Sequence, residues 1–299
     1  MKIITELNKD GRLSNIKLAR KLGVNVLTIT RRIKNLTENG IIEIKVMPNI
    51  FRMGYHAAFI CLNVDQSKID SICSRLEKIH NINLLVTCFG RFDVLMLVIY
   101  RDLNVLEKLV NTRLPQIAGI RHINQYLVAE TTKMHNELIS PTDSTTACTI
   151  ILDEINRKLV HELLKDAQPN YRKLAESLDI STATISRRIS FLIQEKMISF
   201  RAIPSLIKLG YLASAFVILQ TEYKKIDAIC EKLSSHDEVH LVTRLMNDNN
   251  VLFGIHCSDV ESLYEFIKNV TGIDGVLNSE TFVRGPVNYF NSVVFLEPG

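Results

Sequence analysis

The sequence lacks several features that would point to other classes of protein. Tryptophan is absent, and 12 glycines and 7 prolines are few for 299 residues. No apolar run approaches the ~18–20 residues that a membrane-spanning helix needs. The opening residues MKIITELNKD carry charges and leave no apolar stretch of the kind that a signal peptide requires. The sequence therefore predicts a cytoplasmic protein with no membrane partner.

Pairs and clusters of metal-binding or nucleophilic residues are also missing. The six cysteines are scattered without a CxxC pair, which argues against a zinc site or a disulfide framework and for a reducing compartment. Cys73 and Cys230 fall on apolar helix faces and are expected to be core residues. The eight histidines do not cluster at ligand spacings, and there is no Walker loop, nucleophile elbow or HExxH motif. We therefore expect no metal, no cofactor and no catalysis.

Charge is unevenly spread along a chain that is otherwise of ordinary composition. Hydrophobic residues make up 46% and charged residues 23%, so a core can form and extensive disorder is excluded. The net charge of +4 divides into +6 for residues 1–45, +1 for 46–150, +2 for 151–201 and −5 for 202–299. A basic beginning and an acidic end predict different partners for different parts of the chain.

The two halves of the chain repeat each other. Matching segments follow in the same order, first at an offset of 156 residues and then at 157. They are TRRI (30–33) and SRRI (186–189), GY (54–55) and GY (210–211), and KIDSICSRL (68–76) and KIDAICEKL (225–233). An ordered series of this kind predicts two copies of one unit of about 150 residues. The Ser- and Thr-rich segment ISPTDSTTAC (139–148) reads as the linker between them.

Each copy begins with a helix-turn-helix pattern. Ser14 can cap a helix that ends at Gly23, and Asn25 can cap a second helix. The second helix has apolar residues at helical spacing; these are Ile29, Ile33 and Leu36, and in the second copy, after the cap Ser181, Ile185, Ile189 and Leu192. Two short helices joined by a tight turn after a preceding helix make a trihelical helix-turn-helix. The segment IIEIKVMP (41–48) is expected to follow as a strand or wing.

The remainder of each copy alternates strand and helix patterns in the order βαββαβ. Strands are expected at 56–65, 84–89, 94–100 and 122–130, helices at 69–76 and 103–110, and the second copy repeats the order from about 213 to 284. This order predicts an antiparallel sheet with helices on one face, a ferredoxin-like sandwich. The fold class is α+β, a tandem repeat of winged helix-turn-helix and ferredoxin-like domains. The expected domains are 1–45, 46–136, a linker at 137–150, 151–201 and 202–299.

The polar residues of the second helix of each copy would face outward. Hydroxyl, amide and guanidinium groups at the start of such a helix suit contacts with phosphates and base edges in a major groove of duplex DNA. The candidate DNA-binding residues are Asn25, Thr28, Thr30, Arg31, Arg32 and Asn35, and Ser181, Thr182, Thr184, Ser186, Arg187 and Arg188. The alternative is that these residues form an ordinary solvated helix face. The pattern occurs in both copies, which makes this alternative less favoured.

Both copies resemble the Lrp/AsnC (feast/famine) transcriptional regulators. The resemblance is carried by DGRLSNIKLARKLGVNVLTITRRIKNLTENGII, Gly54-Tyr55 and CFGRFDVLMLVIYRD in the first copy, and by YRKLAESLDISTATISRRISFLIQEKMI and GYLASAFVIL in the second. It implies a domain that binds double-stranded DNA and a sandwich that dimerises and senses small molecules, often amino acids. Two copies in one chain imply an internal pseudo-dimer, and further association of such chains into homo-oligomers.

The resemblance also implies an effector-binding loop with a Gly-x-x-Asp pattern, here Gly90-Arg91-Phe92-Asp93. Glycine lets backbone amides approach a carboxylate, and aspartate can hold an ammonium group. A plain hairpin turn would favour the same residues, so that interpretation stays open beside the effector site at Gly90, Arg91 and Asp93. The second copy reads Leu245–Asn250, without glycine and with one extra residue by this alignment, so the two loops are not expected to be equivalent.

Two alternatives to a regulator remain. Siroheme decarboxylases resemble this family in both domains, can occur as two fused units and use His and Arg residues of the sandwich to bind the tetrapyrrole. His240 and Arg244, four apart on a predicted strand, have a loosely similar spacing. A sensor or corepressor that has lost DNA binding is the third interpretation. The residues favour the first, a sequence-specific DNA-binding regulator that is not an enzyme.

Overall fold

The computed structural model describes residues 2–134 and 150–290, so the expected linker lies almost wholly outside the described residues. The helices are α1 Lys2–Lys9, α2 Asn15–Leu22, α3 Val26–Glu38, α4 Ile69–Leu76, α5 Leu103–Lys108, α6 Glu154–Lys165, α7 Tyr171–Leu178, α8 Thr182–Gln194, α9 Ile226–Ser234 and α10 Val260–Thr271. The strands are β1 Ile42–Pro48, β2 His56–Val64, β3 Ile82–Gly90, β4 Val94–Tyr100, β5 Ile120–Met134, β6 Ile198–Pro204, β7 Ala213–Thr221, β8 Val239–Leu245, β9 Val251–Cys257 and β10 Val276–Phe290. The fold is therefore α+β, with the expected order of elements in each copy.

The described residues form two compact units, and each unit takes one part from each copy. The first, which we call the helical unit, contains residues 2–53 and 150–210. The second, the barrel unit, contains residues 54–134 and 211–290. Among the described helices, none is both long and apolar enough to cross a membrane. The domain limits expected from the sequence stay predictions.

The helix ends of the helical unit follow the capping residues read from the sequence. Ser14 Oγ accepts a hydrogen bond from the Lys17 N–H, and Asn25 Oδ1 accepts one from the Leu27 N–H at 2.8 Å. Gly23 closes α2 in the left-handed conformation at φ 66°, which glycine adopts without steric cost. Ser181 Oγ accepts from the Thr184 N–H at 3.1 Å in the second copy. These caps fix where α3 and α8 begin.

The two copies share a sheet in the helical unit. The segment expected as a wing, β1, pairs antiparallel with β6 of the other copy, from Ile42 opposite Pro204 to Pro48 opposite Ile198. The first copy also packs on β6 directly, because the Gly11 N–H donates to the Phe200 carbonyl at 2.7 Å. A side chain at Gly11 would place its Cβ 2.9 Å from the Arg201 nitrogen, so only glycine permits this approach. The helical unit is therefore one structure built from both copies.

The barrel unit is a closed barrel of eight antiparallel strands in the order β10-β3-β4-β2-β5-β8-β9-β7. The last strand of each ferredoxin-like sandwich pairs on one edge with its own sandwich and on the other edge with the other copy: β5 lies between β2 and β8, and β10 between β7 and β3. The barrel interior holds fully buried aromatic rings; these are Phe59, Phe92, Phe216 and Phe282. The barrel therefore joins the two sandwiches through the pairs β5–β8 and β10–β3.

Each sandwich keeps its own core between sheet and helices. Cys73 and Cys230 lie in these two cores, as expected. Burial raises the pKa of Cys73 to about 11 and that of Cys230 to about 12. Both are therefore neutral thiols at ordinary pH and serve as packing residues.

Candidate nucleic-acid interface

The second helices of the two helix-turn-helix motifs are held by their apolar faces. Ile29 in α3 and Ile185 in α8 are fully buried at 0% exposure. The opposite faces carry Arg31, Arg32 and Arg187 in exposed positions. None of these three guanidinium groups forms an ion pair with a residue in the described part of the chain. They are among the exposed basic groups that remain available to an anionic partner.

Arg188 lies elsewhere, and its expected outward position is wrong. Its Nη1 donates to Asp153 Oδ2 at 2.7 Å and to Asn156 Oδ1 at 3.0 Å, and only 24% of the side chain is exposed. Partial burial would raise the pKa of Asp153, but hydrogen bonds from the Asn156 N–H and from Arg188 outweigh it and lower that pKa. Asp153 also caps α6, so Arg188 fastens α8 to the start of α6.

Several candidate residues take part in local hydrogen bonds. Asn25 and Ser181 are caps, and Thr184 Oγ1 lies 2.9 Å from Ser181 Oγ. Thr30 Oγ1 accepts from Asn15 Nδ2 at 2.9 Å and donates to the Val26 carbonyl at 3.0 Å. The polar groups in exposed positions that carry no such local role in the described contacts are those of Asn35, Thr182 and Ser186, while Thr28 is half-buried. These side chains together with the three exposed arginines form the candidate nucleic-acid interface.

An apolar residue belongs with this interface. Leu27 is 79% exposed in the first turn of α3, one helical turn before Arg31. Ala183 stands at the same place in α8. The candidate set, chosen for polarity, omitted Leu27, although its spacing of four residues from Arg31 puts both on one helix face. A solvent-facing leucine there offers an apolar contact of the kind that a thymine methyl group accepts.

The Gly90–Asp93 loop lies in the barrel unit, where contacts within the protein occupy its polar groups. Asp93 Oδ2 accepts from the Val64 N–H at 2.8 Å, and Oδ1 accepts from Gln66 Nε2. Arg91 forms an ion pair with Glu280 of the other copy. Gly90, at φ 135°, lies against β10 so closely that a Cβ would be 2.8 Å from the Thr281 carbonyl oxygen. These contacts fix the loop as a turn against the neighbouring strands of the barrel. The binding of an effector by this loop stays a prediction.

The corresponding loop of the second copy has the same length, so the expected extra residue is wrong. Thr87 pairs with Val94 across one loop and Arg244 with Val251 across the other, which leaves residues 88–93 and 245–250 between them. Asn250 takes the place of Asp93: its Oδ1 accepts from the Thr221 N–H at 3.1 Å. The inserted residue lies upstream, since β2 and β7 are already related by the larger offset. The offset of 157 between KIDSICSRL and KIDAICEKL places it there as well, so the expected extra residue in the loop disagreed with the repeat itself.

The spacing of His240 and Arg244 does not bring their side chains together. Arg244 reaches Asp227 at 2.8 Å and Glu130 at 3.4 Å. His240 is buried and stacks on His256, with ring centroids 3.8 Å apart. Burial lowers the pKa of His256 to about 3, so this imidazole is neutral, and its Nδ1 lies 2.7 Å from Ser214 Oγ. Among the described residues of the barrel, His240 and His256 thus form a buried pair of titratable side chains.

Family models match the helical and barrel units alike. A winged helix-turn-helix DNA-binding model matches residues 1–43, and an AsnC-type helix-turn-helix model matches residues 152–193. A model of the Lrp/AsnC ligand-binding domain matches residues 57–138 and 214–284, together just over half of the chain. The class defined by fold and site is thus a helix-turn-helix protein with attached ligand-binding sandwiches. The chain belongs to the Lrp/AsnC family.

Curated relatives cover one copy at a time. An uncharacterized HTH-type transcriptional regulator of Pyrococcus furiosus is 32% identical over 122 residues, which are 40% of this chain and 82% of the relative. A similar uncharacterized regulator of Pyrococcus abyssi is 31% identical over 121 residues, or 40% of this chain and 77% of the relative. The HTH-type transcriptional regulator FL11 of Pyrococcus furiosus is 28% identical over 134 residues, 44% of this chain and 89% of its own length.

Two of the solved structures similar to this chain match almost its whole length, and both are structures of an enzyme. The siroheme decarboxylase NirDL is similar with a TM-score of 0.70, covering 97% of this chain and 91% of that one at 14% identity. The same enzyme with an iron-uroporphyrin III analogue gives 0.68 and covers 97% and 92%. At this identity the likeness is one of fold. The expectation that the protein is not an enzyme is therefore wrong as stated, because this fused architecture is also that of a decarboxylase.

Proposed function

We propose that the protein is a sequence-specific DNA-binding regulator of Lrp/AsnC type, made of two fused copies that form an internal pseudo-dimer and acting on double-stranded DNA in the cytoplasm. The observation that carries this proposal is the pair of capped second helices with exposed Arg31, Arg32 and Arg187 free of ion pairs among the described residues. An arginine paired with a carboxylate within the protein would have its charge neutralised and would attract phosphates less. The family models and the curated regulators support the same conclusion.

The exposed arginines attract the DNA phosphates, and the neighbouring polar groups recognise the base sequence. Guanidinium groups that neutralise phosphates release condensed counterions, which makes the affinity fall steeply with salt. Thr182, Ser186 and Asn35 are placed to contact base edges if the helices enter major grooves. Leu27 adds an apolar contact in the first copy alone. Arg188 contributes indirectly, by holding α8 in place through Asp153.

DNA binding is tested by titrating fluorescent duplex carrying the protein's own promoter region. We expect the double variant Arg31→Ala, Arg187→Ala to lose at least tenfold in affinity and to show a shallower salt dependence. The matched control removes two exposed lysines of the barrel unit, Lys232→Ala and Lys268→Ala, and should bind like the native chain. Equal affinity of a folded double arginine variant and the control would overturn the assignment.

An amino-acid-like effector that binds the Gly90–Asp93 loop is a further part of this proposal. Because Asp93 already accepts two hydrogen bonds and Arg91 is paired with Glu280, an effector must displace one of these contacts. Calorimetry of the full chain with pooled and then single amino acids tests this. We expect one site per chain, since the second loop has Asn247 where the first has Gly90. Two equal sites per chain would contradict it.

A tetrapyrrole-modifying activity is a second candidate, favoured by the buried His240–His256 pair and by the fold shared with NirDL. The Nε2 of His256 is buried and has no hydrogen-bond partner among the described atoms, and imidazole nitrogens of this kind can bind iron or a carboxylate. Absorption spectra taken during titration with siroheme, followed by chromatography of the tetrapyrrole, test this candidate. An unchanged Soret band would remove it and leave DNA binding unaffected.

A further inference from the structure

Arg12 of the first copy bridges to the second copy within the helical unit. It lies in the loop between α1 and α2, and its Nη2 donates to the Tyr171 hydroxyl at 2.7 Å. Its guanidinium group also lies over the Phe200 ring, 3.7 Å from the ring centroid. Tyr171 is the first residue of α7, and Phe200 belongs to β6. We call these three side chains the Arg12 bridge, which connects the first helix-turn-helix motif to the second.

The Arg12 bridge crosses an open cleft of about 520 Å³. Pairs of residues at matching positions of the two copies line this cleft; these are Gly11 and Ala167, Leu13 and Pro169, and Ile44 and Phe200. A lining of this kind places the cleft on the pseudo-two-fold axis that relates the two motifs. The bridge therefore spans a space between the motifs that the other side chains leave open.

Among the described residues, the Arg12 bridge exists on one side of this axis and has no reciprocal contact. Such a contact would start from Gln168, which carries no charge. It would meet Ile44, which has no ring, and Asn15, whose Nδ2 donates to Thr30 Oγ1 of its own copy at 2.9 Å. The first copy thus reaches the second by an interaction that the second does not return.

Some other contacts between the copies are reciprocal. Arg52 Nε donates to the Glu195 carbonyl at 3.2 Å. At the matching positions, Lys208 Nζ donates to the Asn39 carbonyl at 2.6 Å. The pairing of β1 with β6 is symmetric as well, but a two-stranded ribbon has little stability of its own. These contacts act on both motifs alike, whereas the Arg12 bridge acts from one side.

The Arg12 bridge ends at a helix that positions α8. Tyr171 begins α7, which packs against α8. Exposed Ser186 and Arg187 of α8 belong to the candidate nucleic-acid interface. In the first copy, Asn15 at the start of α2 bonds Thr30 of α3, which shows that this end of the helix lies beside the second helix of the motif. A displacement of Tyr171 would therefore displace α8.

We propose that the Arg12 bridge sets the distance and the angle between α3 and α8, and thereby the spacing of half-sites that the protein accepts in DNA. This inference rests on the proposed DNA-binding function. Arg12, Tyr171 and Phe200 are positioning residues in this role. Arginine suits it, because a planar guanidinium group can stack on a ring and donate hydrogen bonds in its own plane at the same time.

The spacing of half-sites in DNA tests the proposal. Half-sites are first selected from random duplexes with the native chain, and a series of duplexes then separates them by spacers that differ by single base pairs. Each base pair rotates one half-site by about 35° around the duplex, so the native chain should lose about tenfold in affinity when the spacer changes by two base pairs. Arg12→Gln and Tyr171→Asn, which introduce the residue of the other copy, should reduce this loss to about threefold.

The matched control is Lys9→Gln, which removes an exposed positive charge of the same copy that is paired with Glu6 outside the bridge. It should keep the native spacing profile. Tyr171→Asn changes no charge, so its effect cannot come from weaker attraction of phosphates. A variant that had only lost stability or charge would bind less tightly by the same factor at every spacing. That result for Arg12→Gln would overturn the proposal.

A second measurement needs no DNA. Spin labels are placed at matching positions of α3 and α8 by Lys34→Cys and Ser190→Cys, in a chain that also carries Cys148→Ser; the other five cysteines are buried. Electron double resonance should give a narrow distance distribution for this labelled chain and with Lys9→Gln, and a broader or shifted one with Arg12→Gln. Equal distributions for the two variants would overturn the proposal. Absence of DNA binding by the native chain would refute the proposed function instead, and the distance distributions would still decide whether the bridge positions the helices.

Discussion

Arg188 and Asp153 form an ion pair at 2.7 Å, whereas Arg32, at the same position in the repeat, has no ion pair with a described residue. One copy uses this arginine to hold its helices together and the other leaves it exposed. The same arginine therefore has a structural role in the second helix-turn-helix motif and is left exposed in the first. This difference has consequences for stability that can be measured.

Arg188→Ala should destabilise the helical unit and Arg32→Ala should not. The first substitution removes hydrogen bonds to Asp153 and to buried Asn156, which we expect to cost about 1–2 kcal/mol after allowing for solvent screening. The second removes no ion pair or side-chain hydrogen bond with the described residues. Urea unfolding of both variants checks this, and an equal change in midpoint would show that the ion pair contributes nothing.

Stability should fall with acidity because of His256. Its folded-state pKa of about 3 lies below the ordinary value of 6.5, so the unfolded chain binds the proton more readily. The contribution of neutral His256 is complete above pH 6.5 and is lost as the pH falls from there toward 3, by up to about 1.4 kcal/mol per pH unit. Burial is the main cause, and Arg284 adds to it.

The matched substitution is His256→Ile, because the first copy has Ile99 at this position. Unfolding free energies measured in urea between pH 7.5 and 5 should become less dependent on pH in this variant. The exposed His122, replaced by Gln, is the control and should keep the native slope. A slope that is the same in His256→Ile and in the native chain would refute the assignment.

The two halves should bind each other when produced separately. Residues 1–136 and 151–299 each carry a last strand, β5 or β10, whose outer edge pairs with the other copy. Separated halves would expose those edges and the apolar faces that the barrel covers, which favours association. Size-exclusion chromatography with light scattering checks the outcome. Two stable monomers that ignore each other when mixed would show that the barrel does not hold the chain together.

The two reading helices should prefer unequal half-sites. Leu27 is 79% exposed where the second copy has the smaller Ala183, and the first domain carries a charge of +6 against +2. Selection from random duplexes should therefore return an imperfect palindrome, and Leu27→Ala should change the preferred base in one half-site only. Identical half-sites selected by the native chain would mean that these differences do not affect DNA recognition. Two chains related by two-fold symmetry could still bind a longer site that is palindromic as a whole.

Much of the fold follows from local patterns. The caps Ser14, Asn25 and Ser181 and the spacing of Ile29, Ile33 and Leu36 need only neighbours within a few residues, so the sequence could predict them. The strand expected at 94–100 is also present as β4, and all seven of its residues are buried, so both faces of the sheet are covered there. What covers the second face, the other copy, is a pairing between distant strands that periodicity does not encode.

The candidate site was less readable for the same reason. Arg187 and Arg188 are adjacent and chemically identical, and only a carboxylate 35 residues earlier in the chain separates their roles. The equal lengths of the two loops follow from the repeat offset of 157 residues, and the strand register confirms them. Burial of His256 depends on Ser214 and on closure of the barrel, neither of which a short motif reveals.

The pairing of each last strand with the other copy also bears on the order of events during synthesis. Phe89 of β3 pairs with Val283 of β10, 194 residues later. At roughly 5–20 residues per second, the ribosome would need about 10–40 s to deliver that partner strand. Throughout this interval the edge of β3 has no permanent neighbour, and a nascent chain in this condition is open to pairing with other chains. The barrel can thus close only when nearly the whole chain has been synthesised. We therefore expect the newly made protein to depend on chaperones in the cell.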